Sequence, residues 1–390
     1  MAAVWLALMH HLERTRFANA FSSCHWSAWE PWDTALSPAR PHRVAIVADP
    51  QLVDDYTYPA LPRLILLVIR KFTDNYLYQS YRYLQSVLDP DTTVFIGDLF
   101  DGGRDWDNAT WTAEFHRFNR IFPLRNDRAT FRGLPGNHDI GMQNISVATR
   151  ARFAEHFGAS NDCYILGNHS FLQLDTISYM HDDPAVHTEA RTFVETVQST
   201  LDPNFPRIVL THVPFYRNPV LEPCRPGRES TKPFPLMYGY QYQTIIDFWA
   251  SDKILRELNP VLVLSGDDHD YCDMTHLDYA DPTRYLAREI SCKSVSMTSG
   301  IRYPAYQLLS LHNPQDAVSP NSGKTYETRM CSLPTPYVNF KTYAFGYVVT
   351  CAVWWYLHFH HARGRNASAT FLFYCAVILV SVVSLLLSYN

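Results

Sequence analysis

Five short segments carry side chains that could bind a metal or move a proton. They are Asp49-Pro50-Gln51, Gly97-Asp98-Leu99-Phe100-Asp101-Gly102-Gly103, Gly136-Asn137-His138-Asp139, Thr211-His212-Val213-Pro214 and Gly266-Asp267-Asp268-His269-Asp270. Singly, each has an ordinary reading: an Asp at a strand end is a common turn former, and a lone His is usually structural. Together, and in this order, they offer carboxylates, an amide and imidazoles, a donor set that suits divalent cations. The chemistry that needs such a set is hydrolysis of a phosphate ester. Non-bridging oxygens must be neutralised and hydroxide supplied near pH 7, and two divalent ions about 3.5–4 Å apart, sharing a carboxylate, do both. Asp98 is the natural bridging ligand. The glycines beside it and beside Asn137 allow tight turns and close approach to a metal.

These residues need elements to bring them together. The segments 43–49, 92–98, 131–137, 171–176, 207–212 and 261–267 are apolar runs ending in polar residues, as strands buried on both faces read. Helical patterns fall between them at 61–88, 111–122, 146–157, 189–201 and 240–258. The alternation predicts an α/β fold, and five of the strands end in acids, amides or histidines. In such sheets, ligands gather beyond the strand C-termini. A Pro-rich insertion at 214–235 reads as a rim or lid over that end.

The motif set resembles the calcineurin-like metallophosphoesterases, whose pattern is DxH, GDxxD, GNHE/D, a lone His and GHxH. The likeness runs over about 43–273. It implies a four-layer α/β sandwich of two mixed sheets flanked by helices. It also implies a metal held by Asp49, Asp98 and His269, with Gln51 available, and a second held by Asp98, Asn137, His212 and Asp267. His138 would face the phosphate as acid or charge stabiliser, and Asp139 would orient it. Gln51 and Asp267 stand where the pattern has histidines. Amide and carboxylate oxygens there harden the site toward Mn²⁺ or Mg²⁺, so two divalent ions, Mn²⁺ foremost, are the expected cofactors. The stretches ADPQLVD, GDLFDGGR, GLPGNHDIG and SGDDHDYC further resemble the fungal GPI-glycan ethanolamine-phosphate phosphodiesterases, the cell-division-control-protein-one group. That likeness implies removal of ethanolamine phosphate from a GPI mannose, with GPI-anchored proteins or GPI glycolipid as substrate. The alternatives are a lumenal phosphoesterase acting on another phospholipid or nucleotide, and a catalytically inert membrane scaffold.

Composition bounds the rest. With 47% hydrophobic and 18% charged residues, a large core is attainable. A net charge of −5 and the lack of a basic tract argue against a nucleic-acid partner. Six of the eight cysteines lie in the polar body, where six thiols allow fifteen pairings, and sequons occur at Asn108, Asn144 and Asn168. Near the C-terminus, 343–359 and 370–389 have the length and apolarity of membrane helices. The intervening Arg363 and Arg365 would place that link in the cytosol. The expected division is a membrane-proximal segment at 1–41, a lumenal catalytic domain at 42–336 and a transmembrane hairpin at 337–390. The setting would be the endoplasmic reticulum or early Golgi membrane.

Overall fold

A computed structural model describes residues 2–32, 39–314, 324–361, 372 and 375–380. In chain order its strands are β1 (His42–Val47), β2 (Thr92–Ile96), β3 (Ala129–Leu134), β4 (Asp162–Leu166), β5 (His169–Gln173), β6 (Arg207–Leu210), β7 (Tyr238–Gly239), β8 (Tyr242–Gln243), β9 (Leu262–Ser265), β10 (Cys272–Asp278), β11 (Asp281–Ser291), β12 (Ala305–Leu311) and β13 (Tyr326–Ser332). They form one sheet in the order β13-β12-β1-β2-β3, a second in the order β10-β11-β9-β6-β5-β4, and a small hairpin, β7-β8. Both large sheets are mixed. In the first, β1-β2-β3 are parallel and β12 and β13 join antiparallel. In the second, β11-β9-β6-β5 are parallel, and β10 and β4 are antiparallel edges.

Side-chain alternation along the strands assigns the layers. Val44 and Ile46 of β1 point into one apolar cluster with Val94, Ile208, Leu264 and Leu309, contributed by both sheets. Their neighbours Ala45 and Val47 point the other way, into a cluster shared with Leu77, Leu84 and Phe118 from the helices. Each central strand is therefore buried on both faces, which is why it is written as an unbroken apolar run. The architecture is an α/β sandwich of two mixed sheets with flanking helices.

Most of the helices fall near their expected places, at Arg63–Tyr83, Asn108–Ile121, Val147–Phe157 and Pro184–Val197. The region 240–258 differs. Its first residues build β8, and the helix starts only at Phe248 and runs to Leu258. The preceding Gly239–Gln241 turn, with Gln241 at φ 64°, and the β-branched run Thr244-Ile245-Ile246 favour extended chain over helix.

The expected membrane hairpin requires correction. No helix among the described residues is long and apolar enough to cross a membrane. The segment 343–359 falls within the helix Pro336–His361, whose first turns carry Asn339, Lys341 and Thr342. Tyr, Trp and His interrupt its apolar run, and one face is committed to the first helices of the chain. Asn339 Nδ2 and the Tyr343 hydroxyl donate to Glu13 Oε1 at 3.2 and 2.7 Å, and Trp5 Nε1 donates to Thr350 Oγ1 at 3.1 Å. Most of 370–389 lies outside the described residues. Within the segment 1–41, Ala2–His10 packs Trp5 against Tyr343, and Arg16–Ser23 buries Phe17 and Phe21 in the helical core layer. The charge-asymmetry argument for a membrane-anchored chain with a lumenal catalytic body thereby loses its premise.

Two disulfides staple the periphery. Cys24–Cys331 ties the N-terminal helices to β13, and Cys224–Cys272 ties the insertion to β10. The first closes a sequence separation of 307 residues, so it restricts the unfolded chain strongly. Replacing both partners with serine should cost on the order of 2–5 kcal/mol, read as a lower urea midpoint in equilibrium unfolding. An unchanged midpoint would show that the bridge adds nothing to the packing of Phe17 and Phe21.

Candidate metal centre

Five strand ends from the two sheets converge on one end of the sandwich. β1 delivers Asp49, β2 delivers Asp98, and β3 runs through Gly136 into the short helix Asn137–Ile140. From the second sheet, β6 delivers His212, and β9 runs through Gly266 to Asp267 and His269. To turn so sharply, the backbone enters the left-handed region at Asp49, Gln51, Asp98, Asp267 and His269, with φ of 47°, 32°, 50°, 65° and 63°. Such conformations cost a non-Gly residue free energy, and they cluster where function holds them. Only four other non-Gly residues among those described have positive φ.

Asp49, Asp98 and His212 are almost wholly buried, and each offers a ligand atom within 4.8 Å of the others. His212 Nδ1 donates to the Ile96 carbonyl at 2.9 Å, which fixes the tautomer and leaves the Nε2 lone pair facing the carboxylates. That Nε2 lies 3.3 Å from Asp98 Oδ1 and 3.7 Å from Asp267 Oδ1, yet it has no hydrogen-bond partner. Asp49 Oδ1 accepts from the Asp267 amide at 3.0 Å, while its Oδ2 has no partner. Asn137 donates Nδ2 to the Gln241 carbonyl at 3.1 Å and leaves Oδ1 unpaired. Three buried side chains thus each keep a lone pair with no donor. Buried polar atoms rarely remain so, and divalent cations held here would satisfy them. The residues present fit a divalent metal.

The electrostatics agree. Burial pushes Asp49 well above the usual carboxylate range, and the neighbouring Asp98 and Asp267 add to the shift. Burial also lifts Asp267, to about 7, partly offset by His212. For His212 burial opposes charge, but Asp98, Asp49 and Asp267 outweigh it and raise the imidazole well above its ordinary value. A cluster of carboxylates in a dry space draws in whatever positive charge is available.

Two glycines make the approach possible. A Cβ on Gly136 would collide with the Asp98 carboxylate and amide, and one on Gly97, at φ 95°, would enter the His212 ring.

The remaining expected residues divide by what they touch. Gln51 donates Nε2 to Asp98 Oδ2 at 3.0 Å. His269 shares the loop after β9 with Asp267, but it is outside the compact Asp49–Asp98–His212 group. The His138 amide donates to Asp98 Oδ1 at 3.0 Å, and its ring Nδ1 meets the Asp101 carbonyl at 2.7 Å and the Asp101 carboxylate at 3.2 Å. Burial lowers its affinity for a proton, but Asp98 and Asp101 prevail and push it up to about 9. Asp139 does not meet that ring. Its carboxylate accepts the amides of Gly136, Leu99 and Phe100 at 2.8, 3.1 and 3.0 Å, locking two motif loops together. Sequence reasoning assigned no role to Asp101. The signal was the second Asp of Gly97–Gly103, whose partner could not be read without the fold. Asp101 is itself held by Thr57 Oγ1 at 2.5 Å.

Comparison with known proteins places these features in context. The model of the family described as calcineurin-like phosphoesterase matches residues 42–271. Cell division control protein 1 of Saccharomyces cerevisiae is 41% identical over 376 residues, covering 95% of this chain and 76% of the yeast protein. Metallophosphoesterase 1 of Rattus norvegicus is 26% identical over 272 residues, 64% of this chain and 62% of that one. Among solved structures, GAP50, the anchor in the inner membrane complex of Plasmodium, aligns at 13% identity and a TM-score of 0.42, over 76% of this chain and 90% of its own. That last likeness is too loose to bear on function.

Gly136→Ala tests the geometry without deleting a donor. The added Cβ must displace Asp98, so calorimetric titration of metal-stripped protein should show Mn²⁺ affinity reduced by at least tenfold. Unaltered affinity would mean that Asp98 does not hold the ion where the structure puts its carboxylate.

Proposed function

The chain belongs to the calcineurin-like phosphoesterase family and is a metal-dependent phosphodiesterase, and we propose that it hydrolyses the phosphodiester joining ethanolamine to a mannose of a GPI glycan. The observation that carries the catalytic part is the set of unpaired lone pairs on Asp49, Asn137 and His212 around Asp98. Support for the substrate comes from the 41% identity across nearly the whole chain to Cell division control protein 1. The motif stretches whose resemblance implies that activity agree.

In this reading Asp49, Asp98 and His269, with Gln51, hold one divalent ion, and Asp98, Asn137, His212 and Asp267 hold the other, Mn²⁺ being preferred. Bound there, the ions supply neutralisation of the phosphate oxygens and hydroxide near neutral pH. The protein does the rest. His212 is held in one tautomer by the Ile96 carbonyl. His138 has Nδ1 engaged by Asp101, which leaves Nε2 to give a proton to the departing oxygen. Asp139 keeps the two loops bearing Asp98 and His138 in register.

The test uses metal-stripped full-length protein and a GPI glycan carrying ethanolamine phosphate, with mass spectrometry of the glycan. Mn²⁺ should restore release of ethanolamine phosphate better than Zn²⁺. Gln51→His and Asp267→His, which exchange oxygen donors for imidazole, should move the preference toward Zn²⁺. No release under any metal, from protein that binds the ion, would refute the substrate; an unchanged metal profile in both variants would refute the ligand roles of Gln51 and Asp267.

A further inference from the structure

The chain just after the 214–235 insertion does more than border the site. The hairpin β7-β8 turns at Tyr240 and Gln241, and Gln241 adopts φ 64° and is almost fully buried. Asn144 Nδ2 donates to the Tyr240 hydroxyl, and four further hydrogen bonds that fasten this turn to the loop following the helix Asn137–Ile140 are reciprocal. Gln241 Oε1 accepts the amides of Met142 at 2.9 Å and Asn144 at 3.2 Å. In return, Gln143 Oε1 accepts the Gln241 amide, and Gln143 Nε2 donates to the Gly239 carbonyl at 3.2 Å. Two glutamines, each on one loop, thus clasp the backbone of the other. Held in this way, the Gln241 carbonyl receives Asn137 Nδ2 at 3.1 Å.

The consequence lies in the Asn137 amide. An asparagine side chain is free to present either end, because its oxygen and nitrogen are nearly the same size. With Nδ2 engaged by a fixed carbonyl, the other end of the amide is Oδ1, which is buried and unpaired, and the next residue's amide donates to Asp98 Oδ1 at 3.0 Å. An amide presents only its oxygen to a cation, so an unfixed Asn137 would spend part of its time offering the wrong end. Contacts one step removed from a ligand typically govern metal affinity by 10–100-fold.

We propose that Gln241 is a positioning residue for the metal centre: through the clasp with Gln143 it fixes its own carbonyl, and that carbonyl orients Asn137 as an oxygen ligand. The inference rests on Asn137 being a ligand. The hairpin that follows the insertion is then a structural part of the metal site, and a disturbance of it registers at the ion. Tyr238 and Tyr240 stand exposed on the same hairpin.

Calorimetric titration of Mn²⁺ into metal-stripped full-length protein tests this, alongside the melting temperature of the stripped protein. Gln241→Ala removes the acceptor of two amides and should weaken Mn²⁺ binding by about 10-fold or more. Gln241→Glu keeps an oxygen in the same place and should bind within a few-fold of the native chain. Thr244→Val loosens the base of the hairpin, where Thr244 Oγ1 accepts the Met237 amide at 2.9 Å, without touching the clasp; it should leave Mn²⁺ affinity unchanged. Native affinity in Gln241→Ala, no recovery in Gln241→Glu, or equal weakening in Thr244→Val would each overturn the proposal. Should Gln241→Ala fail to fold, Gln143→Ala, at an exposed position, removes the other half of the clasp and must weaken binding likewise. Asn137→Ala is the reference. If it binds Mn²⁺ normally, the ligand assignment fails and not the clasp alone.

Discussion

Like charge confined in a dry space is the constraint on which the rest of this molecule depends. Asp49 and Asp98 are fully buried and Asp267 lies beside them, with His212 as the nearest cationic group. Burying an ionised carboxylate without compensation is costly. The fold nevertheless forces them together. Strands from two separate sheets end at one place, and after β1, β2 and β9 the chain turns back through a left-handed backbone conformation at Asp49, Asp98 and Asp267. Glycines at 97 and 136 remove the side chains that would otherwise hold the carboxylates and imidazole apart. Strain and repulsion concentrated at one end of an otherwise regular sandwich make sense if a cation neutralises that end.

Behind the site, a second charged network fixes the loops of the second sheet. Glu289 on β11 is completely buried. It pairs with Arg217 at 2.6 Å, contacts His276 Nε2 at 2.5 Å, and accepts from Ser265 Oγ at 2.7 Å and the Phe215 amide at 3.2 Å. Ser265 immediately precedes Gly266 and Asp267, and Phe215 follows His212 by three residues. One carboxylate therefore anchors the roots of two ligand-bearing loops, while the Gln143–Gln241 clasp holds the carbonyl that Asn137 meets. Removing a single partner from such a network leaves an uncompensated buried charge, so the scaffold is coupled to the site at more than one point.

The sequence disclosed the site more readily than its surroundings, for a physical reason. A strand buried on both faces must be apolar throughout, so 43–49, 92–98 and 261–267 announce themselves, and the polar residues ending them are conspicuous. β10 to β13 carry mixed polar and apolar residues, and no turn chemistry marked them strongly enough to be read as strands. The disulfide between Cys24 and Cys331 joins positions too distant for sequence to pair. The role of Asp101 depended on which ring it meets, and the Gln143–Gln241 clasp on a contact between loops about a hundred residues apart. The membrane reading of 343–359 erred differently. Apolar length was taken as the signal, whereas the rings of Tyr, Trp and His there carry polar atoms, and Asn339, Tyr343 and Thr350 serve contacts to the N-terminal helices.

The most direct test of a cation at the centre of this arrangement is anomalous X-ray scattering from crystals grown with Mn²⁺, recorded across the manganese absorption edge. The account predicts two peaks that share Asp98, one against Asp49 Oδ2 and the other against Asn137 Oδ1 and His212 Nε2, atoms that lack partners in the protein. An anomalous map without a peak there, or with its strongest peak elsewhere on the molecule, would contradict it.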